Sequence, residues 1–398
     1  MRFPRKTVED LSDLEGKKIL IRNDFNVPLD EDKNVTDSTR LEAAEPTINY
    51  LLERGAVPVL MSHLGRPGGE VDPELSLKPV VEPLAEILGA EVKFAGDTVG
   101  SGARKMVDNL AAGEVGLLEN LRFDAGEKSC ADDFSKKLAD LADVYVNDAF
   151  GACHRAHASM AGVPKFLSPA VAGKLVAREF EVLTEVRDNP DRPFVALLGG
   201  AKVSDKLQVI EKLLNQAENV LVGGAMAYTF MLARGGDVGD SLVEPDFVDE
   251  ARQILDNQDS YRGELVLPVD NVIVEADDPD GETRVVDSGE IPGGFEGMDI
   301  GPETREIFAD KLSGAEMVFW NGPMGVFEIP QFAEGTEAVA RTLAGIDGRV
   351  VVGGGDSVAA INQLGLAEKF YHVSTGGGAS LTLVEGSQLP AVSALDER

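Results

Sequence analysis

The stretch Pro193-Phe194-Val195-Ala196-Leu197-Leu198-Gly199-Gly200-Ala201-Lys202-Val203-Ser204-Asp205-Lys206 stands at the middle of a chain of 398 residues. Phe194 to Leu198 is an unbroken apolar run of strand length, the pattern of a strand buried on both faces. Gly199-Gly200 permits a sharp turn and close approach to the backbone. Beyond Asp205 the period changes, and Leu207, Ile210, Leu213 and Leu214 fall on one helical stripe. The segment therefore reads as strand, glycine turn and helix, with Lys202 and Lys206 at the helix start. Lysines favour the opposite end of a helix, unless an anion such as phosphate sits on the free N–H groups. A compact turn carrying solvated lysines is the plainer alternative.

Outward from this stretch the same unit recurs. Lys18–Ile21, Val57–Met61, Val92–Phe94, Gly116–Leu118 and Val144–Val146 read as strands. Leu41–Leu52, Leu77–Leu88 and Asp132–Ala142 read as helices. Ala170–Arg187 reads as a long helix stopped by Asn189-Pro190. The later strands are Phe194–Leu198, Asn219–Val222, Glu264–Leu267, Met317–Trp320, Arg349–Val352 and Phe370–Val373. This alternation predicts an α/β fold of doubly wound parallel sheets in two Rossmann-like lobes joined by a hinge helix. The expected boundaries are 1–170 for the first lobe, an interdomain helix 171–188, and a second lobe 189–378.

Glycines follow most of the later strands, at Gly199, Gly223-Gly224, Gly322, Gly353-Gly354-Gly355 and Gly376-Gly377-Gly378. Ligands of open α/β sheets bind at the carboxyl ends of strands, so the glycines suggest a ligand edge; compact turn chemistry is the alternative, which explains one or two such sites more easily than five. In the first half, basic groups occupy that position: Arg22, Arg40, His63, Arg66, Arg122, His154, Arg155 and His157. A fan of arginines on one edge suits a small, multiply anionic ligand. Asp356, opening a helix after the triple glycine, is either a Mg²⁺ ligand or an N-cap. Glu328 is either an acceptor for ribose hydroxyls or a solvated loop acid.

Composition sets outer limits. Acidic residues number 69 against 37 Lys plus Arg, for a net charge of −32. Such a surface argues against nucleic acid, whose phosphates need a basic face. It suits concentrated salt, where the Debye length falls to roughly 3 Å at 1 M. No apolar run is long enough to span a membrane, and Met1–Glu15 lacks a signal-peptide core, so a cytoplasmic protein is expected. Cys130 and Cys153 are too few for a disulfide framework. No G-x-x-x-x-G-K-[ST] motif occurs, and Gly353-x-Gly355 lacks the third glycine of a dinucleotide fingerprint.

Eight stretches stand out in order along the chain: Arg22-Asn23-Asp24-Phe25-Asn26-Val27-Pro28, Ser62 to Pro67, Leu118 to Phe123, Asp148 to Ser159, Gly199 to Lys206, Trp320 to Glu328, Gly353 to Ser357 and Ser374 to Ser380. Through them the chain resembles phosphoglycerate kinase over nearly its whole length. The resemblance implies phosphoryl transfer between 1,3-bisphosphoglycerate and Mg-ADP. In the first lobe it implies a 3-phosphoglycerate site of Asp24, Phe25, Asn26, Arg40, His63, Leu64, Gly65, Arg66, Arg122 and Arg155. In the second it implies a site for ATP or ADP at Lys202, Lys206, Gly223, Gly224, Asn321, Glu328, Gly354, Gly355, Asp356 and Ser357, with Asp356 on the metal. Arg40, Lys202, Gly376 and Gly377 are the implied catalytic groups. The acceptor oxygen is already ionised, so no general base is assigned to His63, His154 or His157. Hinge closure and electrostatic stabilisation are the expected mechanism. The resemblance further implies a monomer and a C-terminal segment, 379–398, that returns to the first lobe, and the acidic excess looks like the family's halophilic members. Asn23 departs from the family, which often has Val there. A nicotinamide-dependent oxidoreductase or a silent ligand-binding module are the rival readings. The first needs a complete glycine fingerprint, and the second needs losses among the basic residues.

Overall fold

The computed structural model describes residues 3–398. Its first unit runs to Glu181 and takes in Ser387–Arg398, and its second is Val182–Gly386. In the first unit the strands are β1 (Lys18–Asn23), β2 (Val57–Met61), β3 (Val92–Phe94), β4 (Val115–Leu117), β5 (Val144–Asp148) and β6 (Ala170–Ala172). They form one sheet in the order β3-β4-β2-β1-β5-β6. Every pairing in it is parallel. Helix α1 (Thr39–Leu52) lays Leu41, Ile48 and Leu51 onto the sheet, against Ile19, Ile21, Leu60 and Val146. Each such side chain, fully buried, contributes about 1.5–3 kcal/mol. The strands carry apolar residues toward both faces because helices cover both.

Helix α2 (Lys174–Asp188) follows β6, and the boundary between the units falls within it. The second unit repeats the plan with β7 (Phe194–Leu198), α3 (Leu207–Leu214), β8 (Asn219–Val222), β9 (Glu264–Val266), β10 (Met317–Asn321), β11 (Arg349–Gly353), α4 (Gly355–Gln363), β12 (His372–Val373) and α5 (Gly377–Val384). Its sheet order is β9-β8-β7-β10-β11-β12, again parallel at every pairing. Val195, Leu197, Val318, Trp320, Val350 and Val352 form the centre of its core.

In each sheet the chain starts at the middle, builds one side, then crosses to the other. The direction reverses between β1 and β5 in the first unit and between β7 and β10 in the second. Such switch points leave a crevice at the strands' carboxyl ends, where doubly wound sheets bind ligands.

Several expectations need correction. Ala170–Ala172 is a strand, and the helix opens only at Lys174. A short apolar run does not reveal its period, and Gly173 separates the two elements. A Cβ on Gly173 would lie 2.0 Å from Asp148 Oδ1. Leu77–Leu88 begins as a 3-10 turn at Lys78–Val80 before its α-helix, Val81–Leu88. The return to the first unit begins at Ser387, later than the expected residue 379. There Lys6 N–H donates to Asp396 O (3.0 Å) and Asp396 N–H to Ala170 O (2.9 Å), tying both chain ends to the edge strand β6. An antiparallel sheet of Asp270–Glu275, Arg284–Asp287 and Phe295–Ile300 was not foreseen. Its outer strand Arg284–Asp287 is mostly exposed, so it carries no continuous apolar signal.

Candidate active site

In the first unit the site grows from the end of β1. Asp24 Oδ2 accepts from Arg40 Nη1 (3.0 Å) in the first turn of α1. Asp24 Oδ1 accepts from Asn26 N–H (3.3 Å), and Asn26 Oδ1 in turn accepts from Gly65 N–H (2.8 Å). The loop after β2 is thereby pinned to the loop after β1. Arg122 Nη1 donates to Gly65 O (2.6 Å), and Asn120 Nδ2 donates to Leu64 O (2.7 Å) and Leu75 O (2.8 Å). Four separate segments thus converge on one edge.

The cations are crowded. Burial lowers the Arg122 guanidinium to about 10, and the charges of Arg155 and Arg22 add to this. Arg155 is lowered by burial, then by Arg22, Arg66 and Arg40, against the pull of Asp24. His63 is held well below the usual imidazole range by burial and then by Arg22, Arg122, Arg155 and Arg40, so it is neutral. Arg155 Nε donates to His154 Nε2 (3.1 Å), and burial and Arg155 keep His154 low as well. Half-buried like charges of this density are relieved by an anion, and the arrangement is built to receive one.

Not every expected residue presents its side chain. Phe25 and Leu64 belong to the core, and Phe25 N–H is spent on Ser62 Oγ (2.8 Å). Their part is to place Asp24, Asn26 and Gly65. Arg66 is exposed, with no hydrogen-bond partner among the described residues. Sequence reasoning missed Asn120, Ser62 and the buried Glu127. Asn120 lay inside a quoted motif, whereas nothing local distinguished Glu127.

In the second unit the glycine turns interlock. Gly199 N–H donates to Asn321 O (3.0 Å), Gly200 N–H to Pro323 O (2.9 Å), and Gly224 N–H to Met324 O (3.0 Å). A Cβ on Gly199 would lie 2.0 Å from Pro323 O, and one on Gly322 would lie 2.1 Å from Gly199 O. Gly224 N–H is therefore consumed by packing between turns, and so is the N–H of Gly223, which donates to Leu198 O (2.9 Å). The compact-turn alternative accounts for this pair.

Lys206 is the N-cap residue of α3, which opens at Leu207, and Lys202 precedes it on the loop, so the two are not side by side on the first turn. Lys206 folds back so that its ammonium donates to Gly199 O and to Asn321 O (3.3 Å). Burial brings it down to about 8, against the pull of Asp356 and Asp205. Lys202 is exposed on the intervening loop. Glu244 pins that loop through Ser204 N–H (2.9 Å) and Ser204 Oγ (2.7 Å), a support the sequence did not announce.

The starts of α4 and α5 converge, since a Cβ on Gly377 would lie 3.5 Å from Gly355 N. Their first N–H groups have no helical partners, a feature that can receive an anion. Gly354 has φ +95°, open to glycine at little cost. Asn321 Nδ2 lies buried beside it, without a partner among the described residues. Ser357 Oγ accepts from Gly322 N–H (2.6 Å), which joins α4 to the loop after β10. Asp356 is exposed in the first turn of α4 and makes no capping bond, so the N-cap alternative fails. Glu328 is also exposed. Among the described residues no helix is long and apolar enough to cross a membrane.

Parallel α/β sheets with crowded arginines at the edge of one unit and interlocked glycine turns at the edge of the other define a two-unit α/β protein of the doubly wound class. Comparison with known proteins makes this specific. A family model for phosphoglycerate kinase matches residues 8–387. The cytosolic phosphoglycerate kinase 3 of Arabidopsis thaliana is 51% identical over 389 residues, covering 97% of both chains. The phosphoglycerate kinase of Clostridium novyi is 50% identical over the full length of both. The crystal structure of phosphoglycerate kinase from Pyrococcus horikoshii superimposes with a TM-score of 0.87 at 35% identity, covering 98% of each chain. The chain belongs to the phosphoglycerate kinase family. Its activity is that of a phosphotransferase with a carboxyl group as acceptor.

Proposed function

We propose that the first unit binds 3-phosphoglycerate and the second binds the nucleotide, each at its switch point. The reading rests on one observation: Arg22, Arg40, Arg122 and Arg155 crowd around His63 closely enough to hold its ring neutral, and Arg122 and Arg155 are themselves lowered by burial and by neighbouring guanidinium charge. In the direction of ATP use, the attacking carboxylate is anionic already. The chain's task is therefore to hold anions together and stabilise charge on the moving phosphoryl group. Asp24 holds Arg40 oriented, while Arg122, Arg155 and Arg66 supply charge for the substrate's phosphate and carboxylate. Asn26 and Gly65 set the spacing.

In the second unit the N–H groups opening α4, together with Gly354, Asn321 Nδ2 and Lys206, hold the nucleotide phosphates, and Glu328 takes the ribose. Lys202 and the N–H of Gly377 at the start of α5 stabilise the transferring group; the N–H of Gly376, expected to share that role, instead donates to Ser374 Oγ (3.2 Å). With the substrates on different units, transfer requires closure, which also removes water.

A Mg²⁺ ion fits the donor set in one respect. Asp356 is a single exposed carboxylate beside the phosphate cradle, and no group of three or more metal-binding side chains occurs among the described residues. That suits a hard cation arriving with its nucleotide more than a resident one. Asp356 would hold it, and the ion would neutralise phosphate charge.

The excess of acid over base, −32, supports a protein working as a monomer in a salt-rich cytoplasm. The test is phosphoryl transfer from Mg-ATP to 3-phosphoglycerate, coupled to reduction of the acyl phosphate, at low and at molar KCl. Turnover rising with salt is expected. A maximum at low salt would discard the high-salt reading, and a folded chain without activity at any salt would overturn the assignment of these sites.

A further inference from the structure

Behind the substrate-facing arginines lies one that the proposed reaction does not use. Arg22 sits at the end of β1 and is 1% exposed. Its Nε donates to Ser159 Oγ (2.9 Å), its Nη1 to Asn23 O, and its Nη2 faces His63 Nδ1 at 3.0 Å. Ser159 is itself held. Its hydroxyl donates to Glu127 Oε1 (2.7 Å) and its N–H to Glu127 Oε2 (2.9 Å). His157 Nδ1 lies 3.6 Å from the same carboxylate. Burial raises the Glu127 carboxyl, but His157, the charge of Arg22 and the bonds from Ser159 outweigh it, so it stays ionised. Arg22 is thus fixed by a buried counter-ion acting through a hydroxyl.

A guanidinium has only donors. Facing Arg22, Nδ1 of His63 must offer its lone pair, and the one proton of the neutral ring must then sit on Nε2. Nε2 has no partner among the described residues. We infer that Arg22 is a positioning residue that holds His63 as the neutral tautomer with its proton on Nε2, presented as a donor to the anionic substrate. The inference rests on the placement of 3-phosphoglycerate beside His63. Around the ring stand Arg22 on β1, Asp24 Oδ1 at 3.8 Å, Arg40 on α1, and Arg122 and Arg155 from the loops beyond β4 and β5. Asp24 alone favours an imidazolium, and four guanidinium groups oppose it. Without Arg22 the ring is free to turn its Nδ1–H toward Asp24, which spends the proton within the protein.

The experiment is two-bond proton–nitrogen NMR on the ¹⁵N-histidine-labelled full chain in molar KCl at about pH 7.5, near neutrality, where imidazole states are distinguishable. The chain has 4 histidines, and His63→Gln assigns the signal. A lone-pair Nδ1 with a protonated Nε2 is expected. A proton on Nδ1, or an imidazolium, would overturn the inference. Arg22→Met is expected to mix the tautomers and move the His63 titration toward its ordinary value. It should also raise KM for 3-phosphoglycerate about tenfold with a smaller change in kcat. An unchanged tautomer and titration in that variant would equally overturn it. If Arg22→Met does not fold, Ser159→Ala, which keeps the guanidinium but removes the hydroxyl that links it to Glu127, and the unsubstituted spectrum decide. Adding 3-phosphoglycerate separates the two readings. The expected tautomer with no substrate-induced shift refutes the substrate placement and leaves the hold of Arg22 standing.

Discussion

The two units share a sheet plan, and on the proposed reading they differ in how they meet an anion. The first does so with side chains, namely guanidinium groups driven together and partly dehydrated, with Glu127 buried behind them. The second uses mostly backbone: helix starts at Gly355 and Gly377 and interlocked glycine turns. Side-chain charge is strong and adjustable, but it costs desolvation and needs a supporting network. Backbone N–H groups are fixed by the fold and need little support, but they tolerate no Cβ where the chain crosses itself. The difference suits a small, highly charged acid on one side and a larger phosphate chain on the other.

That contrast can be broken by experiment. The largest effect is expected at the exception to it, Lys202, an exposed side chain in the backbone-built unit. Lys202→Ala should lower kcat by roughly 10²-fold with nucleotide KM little changed, the signature of an interaction made mainly in the transition state. Unchanged turnover would remove Lys202 from the chemistry. A crossed pair tests the contrast itself. Gly354→Ala places a Cβ 3.2 Å from Asn321 Nδ2 at a positive φ, so it should raise nucleotide KM about tenfold and spare 3-phosphoglycerate. Arg122→Met should do the reverse by a similar factor. If either variant disturbs both substrates equally, the sites are not divided between the units as proposed.

An effect on stability and not on turnover concerns a device the two units share. Asp148 Oδ1 accepts from Leu175 N–H (3.0 Å) at the start of α2, and Asp299 Oδ2 accepts from Gly335 N–H (2.6 Å) at the start of the helix Glu334–Leu343. Burial raises both carboxyls to about 7. Between the ordinary value of about 4 and pH 7, the native state keeps a proton that the unfolded chain has released. Stability from this source is therefore full below about pH 4 and falls as pH rises, by up to ~1.4 kcal/mol per unit. Asp148→Asn keeps the acceptor and removes the titration. Its urea midpoint should gain on the unsubstituted protein from about pH 4 to 7 and then level off. A gap independent of pH would show that Asp148 titrates normally.

Much of this molecule was legible in its residues. Apolar runs ending in glycine or in a cation located nearly every parallel strand, because a strand buried on both faces has to be apolar throughout. The order of the motifs located the residues of both candidate sites, because short loops must place their chemistry where the strand ends. What escaped were features that depend on distant partners. Ala170–Ala172 became a strand only because β5 and the returning C-terminal residues offered a ladder. Lys206 turned inward because Gly199 O and Asn321 O, more than a hundred residues apart in the chain, meet beside it. Phe25 and Leu64 went to the core because their neighbours Asp24 and Gly65 face the edge. Glu127 gave no local signal, since its meaning comes from Arg22 and Ser159 on other elements. The residues alone determined periodicity, turn chemistry and charge, which are properties of short segments. Which donors are spent, which ring nitrogen keeps a proton and which carboxyl is dehydrated were decided by the tertiary structure, because burial and hydrogen bonding belong to groups brought together from far apart in the chain.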